Sequence, residues 1–258
     1  MQTYVRQYLH LTKLVNGHYR SPLQVAFELK DPELARRLLC YGADCNYIDA
    51  RGWNVVHHLW KHKDSGHGEA HDELYHICAA VGFAAYDAQD TSGWTCLHRA
   101  AAYGTPLDIE DLLRLGTSLL VYTTPNAWSP IHVAALTNNV KTLRALSRHV
   151  NLSTLHSPDA HGWTPLHIAI EREAEDTMRF LLENGADPHS QTSITATWFP
   201  VGLENQILRP TDLALNCCNF FFEIFFEALK DAGWQVTTSL DNEDLYWDSQ
   251  EYLDSPPQ

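Results

Sequence analysis

Apolar residues along this chain fall into short bursts, and one burst recurs as a six-residue phrase. Its best copies are Ser21-Pro22-Leu23-Gln24-Val25-Ala26, Thr95-Cys96-Leu97-His98-Arg99-Ala100, Ser129-Pro130-Ile131-His132-Val133-Ala134 and Thr164-Pro165-Leu166-His167-Ile168-Ala169. Asn54-Val55-Val56-His57-His58-Leu59 and Arg209-Pro210-Thr211-Asp212-Leu213-Ala214 are degraded copies. The second positions are 22, 55, 96, 130, 165 and 210, so the steps are 33, 41, 34, 35 and 45: a repeat with two insertions. Ser or Thr before Pro predicts a helix start, because the hydroxyl caps orphan backbone N–H groups and Pro loses nothing at the first helical position. Gln24, three residues after Ser21, completes a capping box. Ala26, Ala100, Ala134, Ala169 and Ala214 form a column that lets neighbouring helices approach closely; Leu59 breaks it, so the second unit should pack differently.

Each phrase is followed by a second apolar helix that ends at glycine. Leu38-Leu39-Cys40-Tyr41-Gly42-Ala43-Asp44 and Leu181-Leu182-Glu183-Asn184-Gly185-Ala186-Asp187 are the clearest copies, with Gly82, Gly116 and Gly233 ending weaker ones. The fourth unit has no such glycine, and Asn151 is the expected substitute. Tyr4, Val5, Tyr8, Leu9, Leu11, Leu14 and Val15 fit an amphipathic helix ended by Asn16-Gly17. The units then run near 16–48, 49–89, 90–123, 124–158, 159–204 and 205–236. A capping helix or half-repeat at 1–15 precedes them, and an acidic tail at 237–258 follows.

The phrase Asp159-Ala160-His161-Gly162-Trp163-Thr164-Pro165-Leu166-His167-Ile168-Ala169, with Gly185-Ala186-Asp187 after it, resembles the ankyrin-repeat family, whose signature is Thr-Pro-Leu-His-x-Ala. The resemblance covers roughly Ser21 to Trp234. It implies an all-α solenoid of stacked helix–turn–helix units with short hairpin-like fingers. It also implies that His98, His132 and His167, with His57 beside them, tie the first helix to adjoining backbone rather than catalyse. In the family, partners meet finger tips and inner helices. Carried over by register, those positions are Arg51, Trp53, Ser92, Trp94, Asn126, Trp128, His161 and Trp163 on the fingers, and Ala102, Tyr103, Leu136 and Arg172 on the inner helices. The tryptophans occupy one column; each ring either packs on the adjoining finger or presents an edge to a partner.

Two stretches depart from the pattern. Lys61 to His71 is polar and glycine-bearing, reads as an exposed loop, and with His57, His58 and His76 is the densest histidine region. Solvated histidines explain it better than a metal site, since no ligand spacing is present. Gln191 to Leu208 lengthens the finger between the last two units, with Trp198-Phe199-Pro200 either packing locally or meeting a partner. The final helix, Cys217 to Leu229, is apolar almost all round, so something should cover its outer side. The candidates are the segment beyond Trp234, a further domain or a second copy. Cys217 and Cys218 read as core thiols.

Composition narrows the function. Eighteen Lys and Arg against 32 Asp and Glu give a net charge of −14. That disfavours a nucleic-acid surface, which needs clustered cations, and equally an anionic lipid surface. After Lys230 no basic residue appears, and Asp241 to Gln258 reads as a partly disordered tail, a clamp on the last helix, or a recognition peptide. Six cysteines without CxxC pairs point to a reduced, intracellular protein, cytoplasmic or nuclear. No phosphate loop, GxSxG elbow or HExxH is present, and Asp44, Asp49, Asp159 and Asp187 sit at turns where they bond local backbone. The reading is a non-catalytic protein-binding scaffold or adaptor, without cofactor. Its partner is another protein, and self-association or a domain contact through the last helix stays open. The alternatives are the repeat region of a larger signalling or sensor protein and, at a distance, an enzyme or metal-binding protein.

Overall fold

The computed structural model describes residues 20–60, 69–123, 126–193 and 206–234. The expected N-terminal helix, most of the histidine-rich loop, the Trp198-Phe199-Pro200 turn and the acidic tail lie outside them. Among the described residues every regular element is helical. The chain divides into two compact units, Met1–His149 and Val150–Gln258.

In the first unit, α1 (Pro22–Glu28) and α2 (Pro32–Cys40) form an antiparallel pair. A 3-10 turn (Val56–Trp60) and α3 (Glu69–Ala80) follow, then α4 (Cys96–Tyr103) with α5 (Pro106–Arg114), and α6 (Pro130–Leu136) with α7 (Val140–Ser147). First helices pack on first helices, α1 on the 3-10 turn, that turn on α4, and α4 on α6; second helices do the same, α2 on α3 and α5 on α7. The alanine column makes this possible: Ala26, Ala100 and Ala134 are fully buried. Where Leu59 replaces alanine, the first helix tightens to the 3-10 turn, with Leu59 and Trp60 buried in it.

In the second unit a short helix α8 (Leu152–Leu155) precedes α9 (Pro165–Glu171), α10 (Glu175–Glu183), α11 (Pro210–Asn216) and α12 (Asn219–Asp231). Here α9 packs on α10 and α11, and α12 on α10 and α11.

Capping explains the starts. Ser21, Thr95, Ser129 and Thr164 each precede a first helix in extended backbone, with Gln24 or a histidine at the third helical position reaching back to the cap N–H. Gly42, Gly82, Gly116, Gly185 and Gly233 end second helices at φ between 71° and 90°.

Three expectations need correction. Asn151 does not terminate a helix: its φ is −84°, and its side chain caps α8 by accepting from Thr154 N. The last helix is not apolar all round, because Glu223, Glu227 and Lys230 form an exposed stripe opposite buried Phe221, Phe225, Ala228 and Leu229. Nor are Cys217 and Cys218 core thiols, the first being half-buried and the second exposed.

Candidate functional site

Fingers are built by one aspartate turn. Asp49 Oδ1 accepts from Arg51 N at 2.8 Å and Trp53 N at 2.9 Å, while Asp49 N donates to Trp53 O. Asp90 repeats this with Ser92 and Trp94, and Asp159 with His161 and Trp163. Thr123 does it with a hydroxyl and one extra residue, Trp128 N donating to Oγ1 at 3.0 Å. In the long finger, Thr192 N donates to Leu208 O and Leu208 N to Thr192 Oγ1, so Leu208 takes the tryptophan's place.

Four of the fingers have their last carbonyl held from the preceding first helix. Gln24 Nε2 donates to Trp53 O at 2.7 Å, His57 Nε2 meets Trp94 O at 3.1 Å, His98 Nε2 meets Trp128 O at 3.0 Å and His167 Nε2 meets Leu208 O at 3.2 Å. Because Nδ1 of each histidine accepts a backbone N–H, from Asn54, Thr95 or Thr164, the proton of the neutral ring must sit on Nε2. Burial pushes His57, His98 and His167 down to about 4, with the bonded carbonyl opposing. These rings are neutral struts.

On this frame rests a cation–π stack. The Arg99 guanidinium lies 3.8 Å from the Trp53 ring centre and 5.7 Å from that of Trp94, and Arg51 approaches Trp53 from 5.3 Å. Asp90, which organises the finger backbone, also binds Arg99. In the preceding unit His58 holds the equivalent place, Nε2 3.4 Å from Asp49 and the ring edge-on to Trp53. Arg99 and His58 stand in a column that elsewhere holds Val25, Val133, Ile168 and Leu213. That break in an apolar column is the sequence signal for the stack, and neither residue was among the expected contact positions.

Burial sorts those positions. Trp53, Trp128, Trp163 and Ala102 are buried, the three rings at 8%, 9% and 3% exposure, so their area goes into packing between fingers and helices. Trp94, Tyr103, Arg51, Asn126, Leu136 and His161 are half-buried, and Ser92 and Arg172 exposed. Arg51, Ser92, Trp94, Tyr103, Asn126 and Leu136 belong to the first unit; His161 and Arg172 belong to the second.

Two buried polar groups bear on chemistry. Cys96 Sγ lies 3.4 Å from His57 Nδ1 and 3.5 Å from Asn54 Oδ1, a thiol beside an imidazole. Both residues are fully buried, and burial drives the thiol far above its ordinary range, so no thiolate forms near neutrality. His71, expected in a solvated loop, instead sits on α3 with no exposure, Nδ1 2.8 Å from Asp108 Oδ1. Tyr75 donates to the same oxygen at 3.0 Å, and Thr105 N to Oδ2 at 2.9 Å. Burial opposes the charge, yet the hydrogen bond from His71 leads the contacts that hold Asp108 below the usual carboxylate range. Among the described residues no group of three or more His, Cys, Asp or Glu could hold a metal, and no helix is long and apolar enough to cross a membrane.

Residues 108–192 match the family model for ankyrin repeats, in three copies. The chain therefore contains ankyrin repeats. It is 28% identical over 173 residues to the human transient receptor potential cation channel subfamily A member 1, covering 67% of this chain and 15% of the channel. It is 24% identical over 184 residues to the nuclear factor NF-kappa-B p105 subunit of Gallus gallus, covering 70% of this chain and 18% of that one. Over 63 residues it is 35% identical to human protein phosphatase 1 regulatory subunit 27, covering 24% of this chain and 40% of the subunit. The chain thus spans well under half the length of these curated relatives. Ankyrin repeats are protein–protein interaction modules.

Proposed function

We propose that this protein is a non-catalytic scaffold or adaptor that grips another protein with its fingers and first helices, and that Trp94 and Tyr103 centre the contact face. The observation that supports this most is the state of Trp94: half-buried, its backbone held by Asp90, its ring beside a guanidinium that is itself pinned by Asp90. A large ring ordered before binding loses little entropy on association, which is what an interface anchor requires. Tyr103 ends the helix that Trp94 leads into, and Arg51, Ser92, Asn126 and Leu136 supply a mixed rim. In the second unit His161 and Arg172 are the corresponding contacts. Trp128 contributes mainly by stiffening its finger.

The test is affinity purification from the native cell with the intact chain and with Trp94→Ala plus Tyr103→Ala. Loss of specific partners with unchanged melting supports the reading; the same partners with intact folding would retire it. A reducing, intracellular setting is part of the proposal, supported by six free thiols. A second reading, repeats that regulate other domains of a larger signalling protein, draws on the small share of each relative that the chain spans. Coding-region boundaries decide between the two.

A further inference from the structure

The chain carries 32 acidic residues, yet not one side-chain carboxylate lies between Asp111 and Asp159. Helix α7 runs through this acid-free band. Its buried side holds Thr142, Leu143, Ala145 and Leu146, and its outer side presents Lys141, Arg144 and Arg148, all exposed. Steps of three and four residues keep the three cations on one face, over an axial length of about 10 Å. His149 is exposed beside them. From α5, Glu110 lies 2.9 Å from His149 Nε2 and 3.9 Å from Arg148.

We propose that this stripe is a docking surface for an acidic segment of a partner protein, bound extended with carboxylates at alternate positions. Alternate side chains of a strand point the same way about 6.5–7 Å apart, against axial steps of roughly 4.5 and 6 Å between the three cations, a difference that the long, flexible side chains of Lys and Arg can span. Range decides against larger polyanions. At physiological salt a charge is felt over about 8 Å, so a short acidic segment senses the stripe alone. A nucleic-acid duplex or an anionic membrane reaches well past it and meets a molecule of net charge −14. The surface is distinct from the finger face and does not depend on that assignment.

Fluorescence anisotropy of the intact chain with a short fluorescein-labelled peptide of alternating Glu and Leu tests it. Saturable binding that weakens with added salt is expected. Lys141→Glu with Arg144→Glu and Arg148→Glu should weaken it about tenfold or more, since three exposed pairs are reversed. Arg36→Glu with Arg37→Glu, on α2, should leave it within about twofold, showing that net charge alone is not the cause. If the glutamate triple melts early, the corresponding glutamine triple is read instead, with a loss of about threefold or more expected. No binding by the intact chain, undiminished binding by the triples, or tighter binding to duplex DNA or phosphatidylserine vesicles than to the peptide would each overturn the assignment.

Discussion

The capping histidines make stability depend on pH in a way that one substitution isolates. His98 is fully buried, accepts from Thr95 N at 3.2 Å and meets Trp128 O at 3.0 Å, and burial lowers it to about 4. In an unfolded chain the same imidazole titrates near 6.5. The unfolded state therefore takes up a proton first as pH falls, so stability is full above about pH 6.5 and drains away toward pH 4. At about pH 5 the loss is about 2 kcal/mol for each such ring. His57 and His98 share the first unit and are lowered alike, so that unit should lose about 4 kcal/mol, a large part of ordinary domain stability.

Gln24 shows the remedy. It holds the same place in the first repeat, donating to Trp53 O at 2.7 Å and accepting from Ser21 N at 2.9 Å, and it cannot be protonated in this range. His98→Gln should fall within about 1 kcal/mol of the parent at neutral pH, because both bonds are kept. At about pH 5 the difference should shift by about 2 kcal/mol in the variant's favour. Urea unfolding followed by tryptophan fluorescence and circular dichroism at both pH values measures it. An offset between the two proteins that stays constant with pH would refute a buried, neutral His98.

Three further outcomes follow from the geometry. Gly162 has φ +79°, and an added Cβ would lie 2.6 Å from Ser193 N; Gly185 has φ +83° and open space around it. Gly162→Ala should thus cost about 2 kcal/mol more than Gly185→Ala, whose cost is about 1 kcal/mol, in matched thermal melts. Lys30 and Glu173 hold left-handed backbone at φ 55° and 50° in turns between paired helices, so Lys30→Gly and Glu173→Gly should each stabilise by about 0.5–1 kcal/mol in chemical denaturation. Asp108→Asn replaces a charged acceptor in the buried His71–Tyr75–Thr105 network and should cost about 2–4 kcal/mol; unchanged melting would show that the network contributes little.

Local chemistry accounts for what the chain alone determined about this protein. Helix starts, the glycine terminators and the aspartate turns depend on atoms within a few residues of one another, and the repeated phrase exposes them together. The all-helical repeat followed, because each pair of helices leaves an apolar face only a neighbouring pair can cover. Tertiary structure decided what depends on partners distant in sequence. Asn151 is equally suited to ending a helix or capping the next one, and the structure places it at the cap of α8. His71 sits in a polar stretch, yet Asp108, 37 residues away, draws it into the core. The tryptophan column reads as four equal rings in sequence, but Arg99, reaching from α4 over Trp53 toward Trp94, leaves Trp94 the most accessible of them. Burial is a property of the assembled neighbours, so a column of identical letters cannot state which member faces solvent.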